Sequence, residues 1–241
     1  MEITLTLHDN LKTLMSLTAN QLAIVETKVN IVRLSLDRIF RTPTLDSVIE
    51  TKCPNDVYKP QYRGSLWLPN GSMLLSDFMN DRCCLYSPEH THLADCTLKD
   101  SWDVCFIGDD EVAVAMTREK IQFLTCTATI TPTRSFTTRY FCDGIVALSG
   151  DELVISGYNN PGNGNYYWSI VTTQGKEEYY REIDQKGGTY TFLAVNESKT
   201  RLYMSYYNTN TVYCFGLDGQ LHFVYKSENL IRPKGIGLDR D

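Results

Sequence analysis

Four segments of the chain repeat one pattern: an apolar strand, a turn built on Gly, Asp or Asn, a second apolar strand, a polar turn, and a third strand. The clearest copies run from Leu66 to Asp77 and from Phe192 to Ser205, and between them lie Val104 to Ala115 and Ile145 to Ser156. Aligning Leu68, Phe106, Val146, Val195 and Ile236 gives steps of 38, 40, 49 and 41 residues. Such steps suit a four-stranded blade and exceed those of most helical or leucine-rich repeats. Short alternating pairs such as Met73 and Leu75, or Val112 and Val114, fit strands stacked face to face between neighbouring blades. The expected fold is therefore an all-β propeller of four blades. The stretch from Arg232 to Asp241 starts a fifth copy. A propeller closes only when its last blade meets its first, so the expectation is an incomplete part of a six-bladed ring.

In front of the repeats, His8, Leu11, Met15, Thr18, Leu22, Val25, Val29, Val32, Leu36 and Ile39 follow in alternating steps of three and four. Apolar residues at a 3.5 period form a stripe that a partner helix buries by supercoiling. The spacing predicts a coiled-coil helix over residues 1–43, with Leu22, Val25, Val29, Val32, Leu36 and Ile39 as a homo-oligomer seam. Pro43 ends the pattern, because the residue before a proline is disfavoured in the α region. The propeller is placed at 44–241.

The net charge of −6 is uneven. Residues 1–43 carry five Lys/Arg against four Asp/Glu, which leaves 18 against 25 in the propeller region. That acidic balance argues against nonspecific nucleic-acid binding. Neither a basic-then-apolar leader at Met1 nor a run of membrane-spanning length is present. The eight cysteines lack framework spacing and read as reduced thiols of a cytoplasmic chain. Asn70-Gly71-Ser72 and Asn196-Glu197-Ser198 match the glycosylation sequon, but both fall at expected hairpin turns.

The residues from Pro233 to Asp241 resemble the start of an NHL repeat, and Leu68 to Asp77, followed by Asn80 and Arg82, resembles its middle. With a preceding coiled coil, this order is similar to the C-terminal half of tripartite-motif (TRIM-NHL-like) proteins, from about residue 45 onward. The Asp77 position holds Gly157 in the third repeat and Tyr206 in the fourth, and no RING finger or B-box sequence is present. The RING finger and B-boxes carry ubiquitin-ligase chemistry in that family, so the resemblance implies the substrate-recognition and dimerisation half of a ubiquitin ligase, without catalytic activity.

Three kinds of site follow. For a protein partner, the insertion from Tyr158 to Trp168 is a Pro-, Gly- and Asn-rich surface turn, with Tyr158, Asn160, Asn163 and Tyr166 as contacts. The alternative is an RNA-binding adaptor, since some NHL propellers read single strands on a basic, aromatic face; Arg118, Lys120, Arg134, Arg139 and Tyr140, with Phe141, form the local basic-aromatic grouping. The third reading is a metal-dependent hydrolase of the gluconolactonase type, for which Asp77, Asn80, Asp143, Asn159 and Asn196 are the residues to test. His90 and His92 beside Cys83, Cys84, Asp95 and Cys96 are read as polar residues of an inter-blade connection rather than a metal site. No cofactor, metal or membrane is expected.

Overall fold

A computed structural model describes residues 21–25, 28–33, 44–51, 53, 55–160, 164–186 and 190–238. The three leading strands, β1 (Gln21–Val25), β2 (Lys28–Arg33) and β3 (Thr44–Glu50), form one antiparallel sheet. Four antiparallel four-stranded sheets follow, each in chain order. The first holds β4 (Tyr62–Trp67), β5 (Met73–Asp77), β6 (Arg82–Tyr86) and β7 (His92–Thr97). The second holds β8 (Ser101–Gly108), β9 (Glu111–Met116), β10 (Lys120–Cys126) and β11 (Ile130–Thr137). The third holds β12 (Phe141–Ala147), β13 (Glu152–Tyr158), β14 (Asn165–Thr172) and β15 (Glu177–Lys186). The fourth holds β16 (Thr191–Val195), β17 (Arg201–Tyr206), β18 (Thr211–Gly216) and β19 (Leu221–Lys226). These are the four blades that the repeat spacing calls for.

Period-two alternation explains how the blades stack. Along β9, Val112 and Val114 face the first blade, whereas Ala113 and Ala115 face the third. Along β13, Leu153 and Ile155 look back and Val154 looks forward. Along β6, Cys83 and Leu85 turn toward the second blade while Cys84 and Tyr86 turn toward β3 and Ile49. In the first three blades each middle strand therefore supplies two cores, and both faces are apolar, whereas the middle strands of the fourth blade supply one. Burying one Val, Leu or Ile contributes about 1.5–3 kcal/mol, so a one-residue slip that exchanged the valine and alanine faces of β9 is strongly disfavoured.

Turn chemistry sets the strand ends. The hairpin between the second and third strands places Asp81, Glu119 and Asn210 at positive φ in three blades, and Asp and Asn tolerate that region better than most residues. Asn70 and Asn196 both lie in inner hairpins, where their side-chain oxygens accept backbone N–H groups of Ser72 and of Thr200 and Arg201.

The helix expected at the N-terminus is corrected where the chain is described. Leu22 and Val25 lie in β1, and Val29 and Val32 lie in β2, with Gln21 opposite Val32 and Val25 opposite Lys28. Stretches such as Ala23-Ile24-Val25 and Val29-Asn30-Ile31-Val32 are rich in β-branched residues, which are stiff at χ1 and favour strands. β2 also pairs with β3, Lys28 opposite Glu50, across the boundary placed at position 43. A helical oligomer seam has no geometric basis over these residues, and Leu36 and Ile39 lie outside the described residues. The fifth-repeat segment up to Leu238 carries no regular strand.

Candidate functional site

The inner strands begin at one end of the blades, and three of them are irregular there in the same way. Register slips between Tyr62 and Gly64, between Ser101 and Val104, and between Cys142 and Gly144. Each slip is a β-bulge, an extra residue that re-aims its side chain. The bulges carry Arg63, Trp102-Asp103 and Asp143, while β16 pairs with β17 without a slip.

Two of these bulges tie neighbouring blades together. Asp103 accepts the backbone N–H of Ile145 through Oδ2 at 3.1 Å. Asp143, 2% exposed, accepts the N–H of Tyr190 through Oδ2 at 3.0 Å and pairs through Oδ1 with the Thr191 hydroxyl, which also meets Ser156. Burial pushes the Asp143 carboxyl up to about 7, against the pull of its hydrogen bonds. Gly64 permits the same approach in the first blade: a Cβ there would sit 2.8 Å from the Trp102 carbonyl oxygen and 2.9 Å from Asp103 Cα.

The Arg63 bulge does something else. Its guanidinium lies 4.5 Å from the Trp102 ring centroid, 4.8 Å from Tyr190 and 5.6 Å from Phe78, and its Nη2 donates to the Gln61 side chain at 2.8 Å. The aromatic rings form a chain of their own. Phe78 meets Trp102 edge-on at 5.1 Å, Trp102 stacks on Tyr190 at 4.7 Å, and Tyr190 meets Tyr207 at 5.3 Å. Residues of the first, second and fourth blades thus converge where the inner strands start. Arg232 and Lys234 stand over Tyr207 at 5.7 and 5.6 Å. Among the described residues, Arg63, Arg232 and Lys234 form no ion pair. Within the cluster, Arg63 Nε and Trp102 Nε1 are buried donors with no acceptor from the protein. Unmet buried donors cost about 1–3 kcal/mol each, so they mark a place where an acceptor is useful. Sequence reading missed this cluster because its members are separated by up to 171 positions, and only the blade geometry assembles them.

The residues singled out from sequence are distributed differently. Tyr166 is fully buried, edge-on to Tyr206 at 4.6 Å, and is corrected from contact residue to core. Tyr158 is half-buried and stacks on Phe141 at 5.2 Å; Asn160 is exposed; Asn163 lies outside the described residues. In the basic grouping, Arg118 pairs with Asp100 at 2.6 Å, Arg134 with Glu111 at 2.7 Å and Arg139 with Glu177 at 3.8 Å. Arg134 also covers Phe123, and Arg139 lies over Tyr140, while Lys120 sits at the start of β10. Three of its four cations are thus already matched by carboxylates.

The residues of the hydrolase reading do not converge either. Asp77 is buried and, with Asp56, holds Arg82, and Asn80 donates to Asp77 at 2.8 Å. Asp143 serves the inter-blade bonds above, Asn159 closes the loop back on Asn165, and Asn196 turns the β16–β17 hairpin at the opposite end of its blade. All eight cysteines are buried and unpaired. No helix of the described residues is long and apolar enough to cross a membrane.

The fold defines the class: a β-propeller. Neither a known family profile nor a curated protein matches the sequence. Solved structures do match. The WD40 propeller domain of Doa1 is similar at a TM-score of 0.56 and 10% identity, covering 84% of this chain and 62% of that one. Virginiamycin B lyase from Staphylococcus aureus is similar at 0.52 and 15%, covering 69% of this chain and 56% of that one. A streptogramin B lyase gives 0.52 and 15%, covering 72% and 57%. The chain spans less than two thirds of each of these structures, and at such identities the likeness shows the fold alone.

Proposed function

We propose that this chain is a non-catalytic recognition propeller that captures an acidic segment of a partner protein at the mouth where its inner strands begin. The observation that carries this reading is the Arg63–Trp102–Tyr190 stack, flanked by Arg232 and Lys234, with cations free of ion pairs among the described residues and two buried N–H donors unmet. Rigid aromatic and arginine anchors at the centre of a contact supply most of the affinity of protein interfaces. Carboxylates are the natural complement, since an arginine fork donates to them in two parallel bonds. The NHL-like turn pattern from Leu68 to Asp77 supports placing the chain among propellers that hold substrates for modification, and a tie to ubiquitination rests on that resemblance alone.

Binding of labelled peptides to the purified chain tests this reading, with Asp/Glu-containing sequences set against their Asn/Gln counterparts and against single-stranded RNA. Acidic peptides are expected to bind in a salt-sensitive manner and to lose at least about tenfold with Arg63→Ala. Equal binding of the neutral peptides, or RNA binding that ignores Arg63, overturns the reading.

A further inference from the structure

A second cluster lies between the leading sheet and the first blade. Cys53, from the connection into β4, offers its thiol within 4.8 Å of ligand atoms of His92 and Asp95. The Cys53 Sγ also stands 3.7 Å from the Thr51 carbonyl oxygen and 3.5 Å from the Tyr86 hydroxyl, and Cys84 belongs to the same buried cluster. The register of β6 and β7 explains the gathering: Cys84 is directly opposite Asp95, and Tyr86 is opposite His92. Cross-strand neighbours on one face have Cβ atoms about 4.5–5.5 Å apart. The bulge between Leu85 and Tyr86 shifts His92 to the face on which Cys84 and Tyr86 stand.

From this geometry we infer that Cys53, His92 and Asp95 form a binding site for a divalent transition metal of the zinc type. A thiol, an imidazole and a carboxylate are ligands suited to zinc, with a water in the fourth position; bonds of about 2.0–2.3 Å hold tetrahedral ligands roughly 3.3–3.8 Å apart. The Cys53 thiol is buried, whereas the His92 and Asp95 side chains are 33% and 30% exposed. The site is therefore closed on its sulfur side and reachable from solvent on the other. His92 Nε2 and Asp95 Oδ1 stand 2.7 Å apart, and their exposure leaves them room to part around an ion. Arg82, 3.5 Å from Asp95 Oδ2, does not oppose the ion with an unbalanced charge, because it also pairs with Asp56 and Asp77.

A thiolate is the form that binds metal, so metal binding releases a thiol proton. Sequence alone could not choose these ligands. Cys83 and Cys96 face the second blade, and His90, at positive φ in the turn before β7, packs near Trp67.

The experiment is titration of the reduced, metal-free chain with Co2+ and then Zn2+. One ion per chain is expected, with a thiolate-to-cobalt charge-transfer band that Zn2+ displaces. Cys53→Ser should abolish that band, and His92→Ala should lower affinity by at least about ten- to a hundredfold. Cys83→Ser, on the opposite face of β6, should leave binding unchanged. His92 is partly exposed, so its variant tests the site even where a cysteine variant folds poorly. Absence of the thiolate band, or binding that His92→Ala leaves unchanged, overturns the assignment.

Discussion

The Arg63 and Asp143 bulges use the same backbone device for opposite ends. Both insert one residue at the start of an inner strand, and both are followed by a glycine that admits the next strand. Asp143 is buried and spends its oxygens on the Tyr190 N–H and the Thr191 hydroxyl of the following blade. Arg63 makes no such stitch, because its guanidinium leans on Trp102 and Tyr190 and its Nε has no acceptor from the protein. An anion at a bulge satisfies the donors of the next blade, whereas a cation there meets aromatic faces and keeps a donor to spare. One bulge therefore holds the blades together, and the other is available to a partner.

The sharpest way to break this contrast is Asp143→Ala. It orphans the Tyr190 N–H and takes away one of the two partners of the Thr191 hydroxyl, which keeps Ser156, for an expected loss of about 2–3 kcal/mol by denaturant unfolding; a loss below about 1 kcal/mol would mean the stitch is dispensable. Next comes Gly64→Ala. Its Cβ would press on backbone atoms of the second blade, which cannot rotate away, so about 1–3 kcal/mol should be lost.

Smaller in effect, but more specific, is the pH dependence of the Asp143 carboxyl. Its ordinary value is 3.8 and in the fold it is about 7, so between these values the folded chain holds a proton that the unfolded chain releases. Its contribution to stability must then fall as pH rises through that window. Asp143→Asn imitates the protonated acid, donating to Thr191 and accepting from Tyr190, and should flatten this part of the pH profile of Tm. A profile with unchanged slope in Asp143→Asn would assign the dependence elsewhere. Least costly of all should be Arg63→Ala, at about 1 kcal/mol or less, the scale of a cation–aromatic contact. A stability loss as large as that of Asp143→Ala would make Arg63 another structural stitch and remove the contrast.

Much of the blade structure is legible in the chain. The apolar pair in each copy, such as Met73 with Leu75 and Val112 with Val114, lies in β5 and β9, because short apolar runs between Asp, Asn and Gly turns have few other ways to bury both faces. Outer strands are less legible. The fourth strands, such as β7 at His92–Thr97 and β11 at Ile130–Thr137, are not marked in the repeat pattern. These strands are largely exposed, so their apolar signal is weak. The leading segment misled for a different reason: apolar steps of three and four also occur in strands of β-branched residues, and pairing partners decide between the two. In the candidate site, the sequence offers Asp143 only as a candidate of the hydrolase reading, whereas its bonds to Tyr190 and Thr191 span 47 and 48 positions.

What the sequence determined by itself is the blade: its length, its turns, and the alternation that sends Val112 one way and Ala113 the other. Those features are local, set by φ preferences and period-two burial within a single repeat. Tertiary structure decided which blades' residues meet. Arg63, Trp102 and Tyr190 become neighbours, as do Cys53, His92 and Asp95, because successive sheets pack side by side and bulges or register shifts aim particular side chains across the seams. The period of a repeat carries no information about such encounters, since each copy is satisfied by alternation alone.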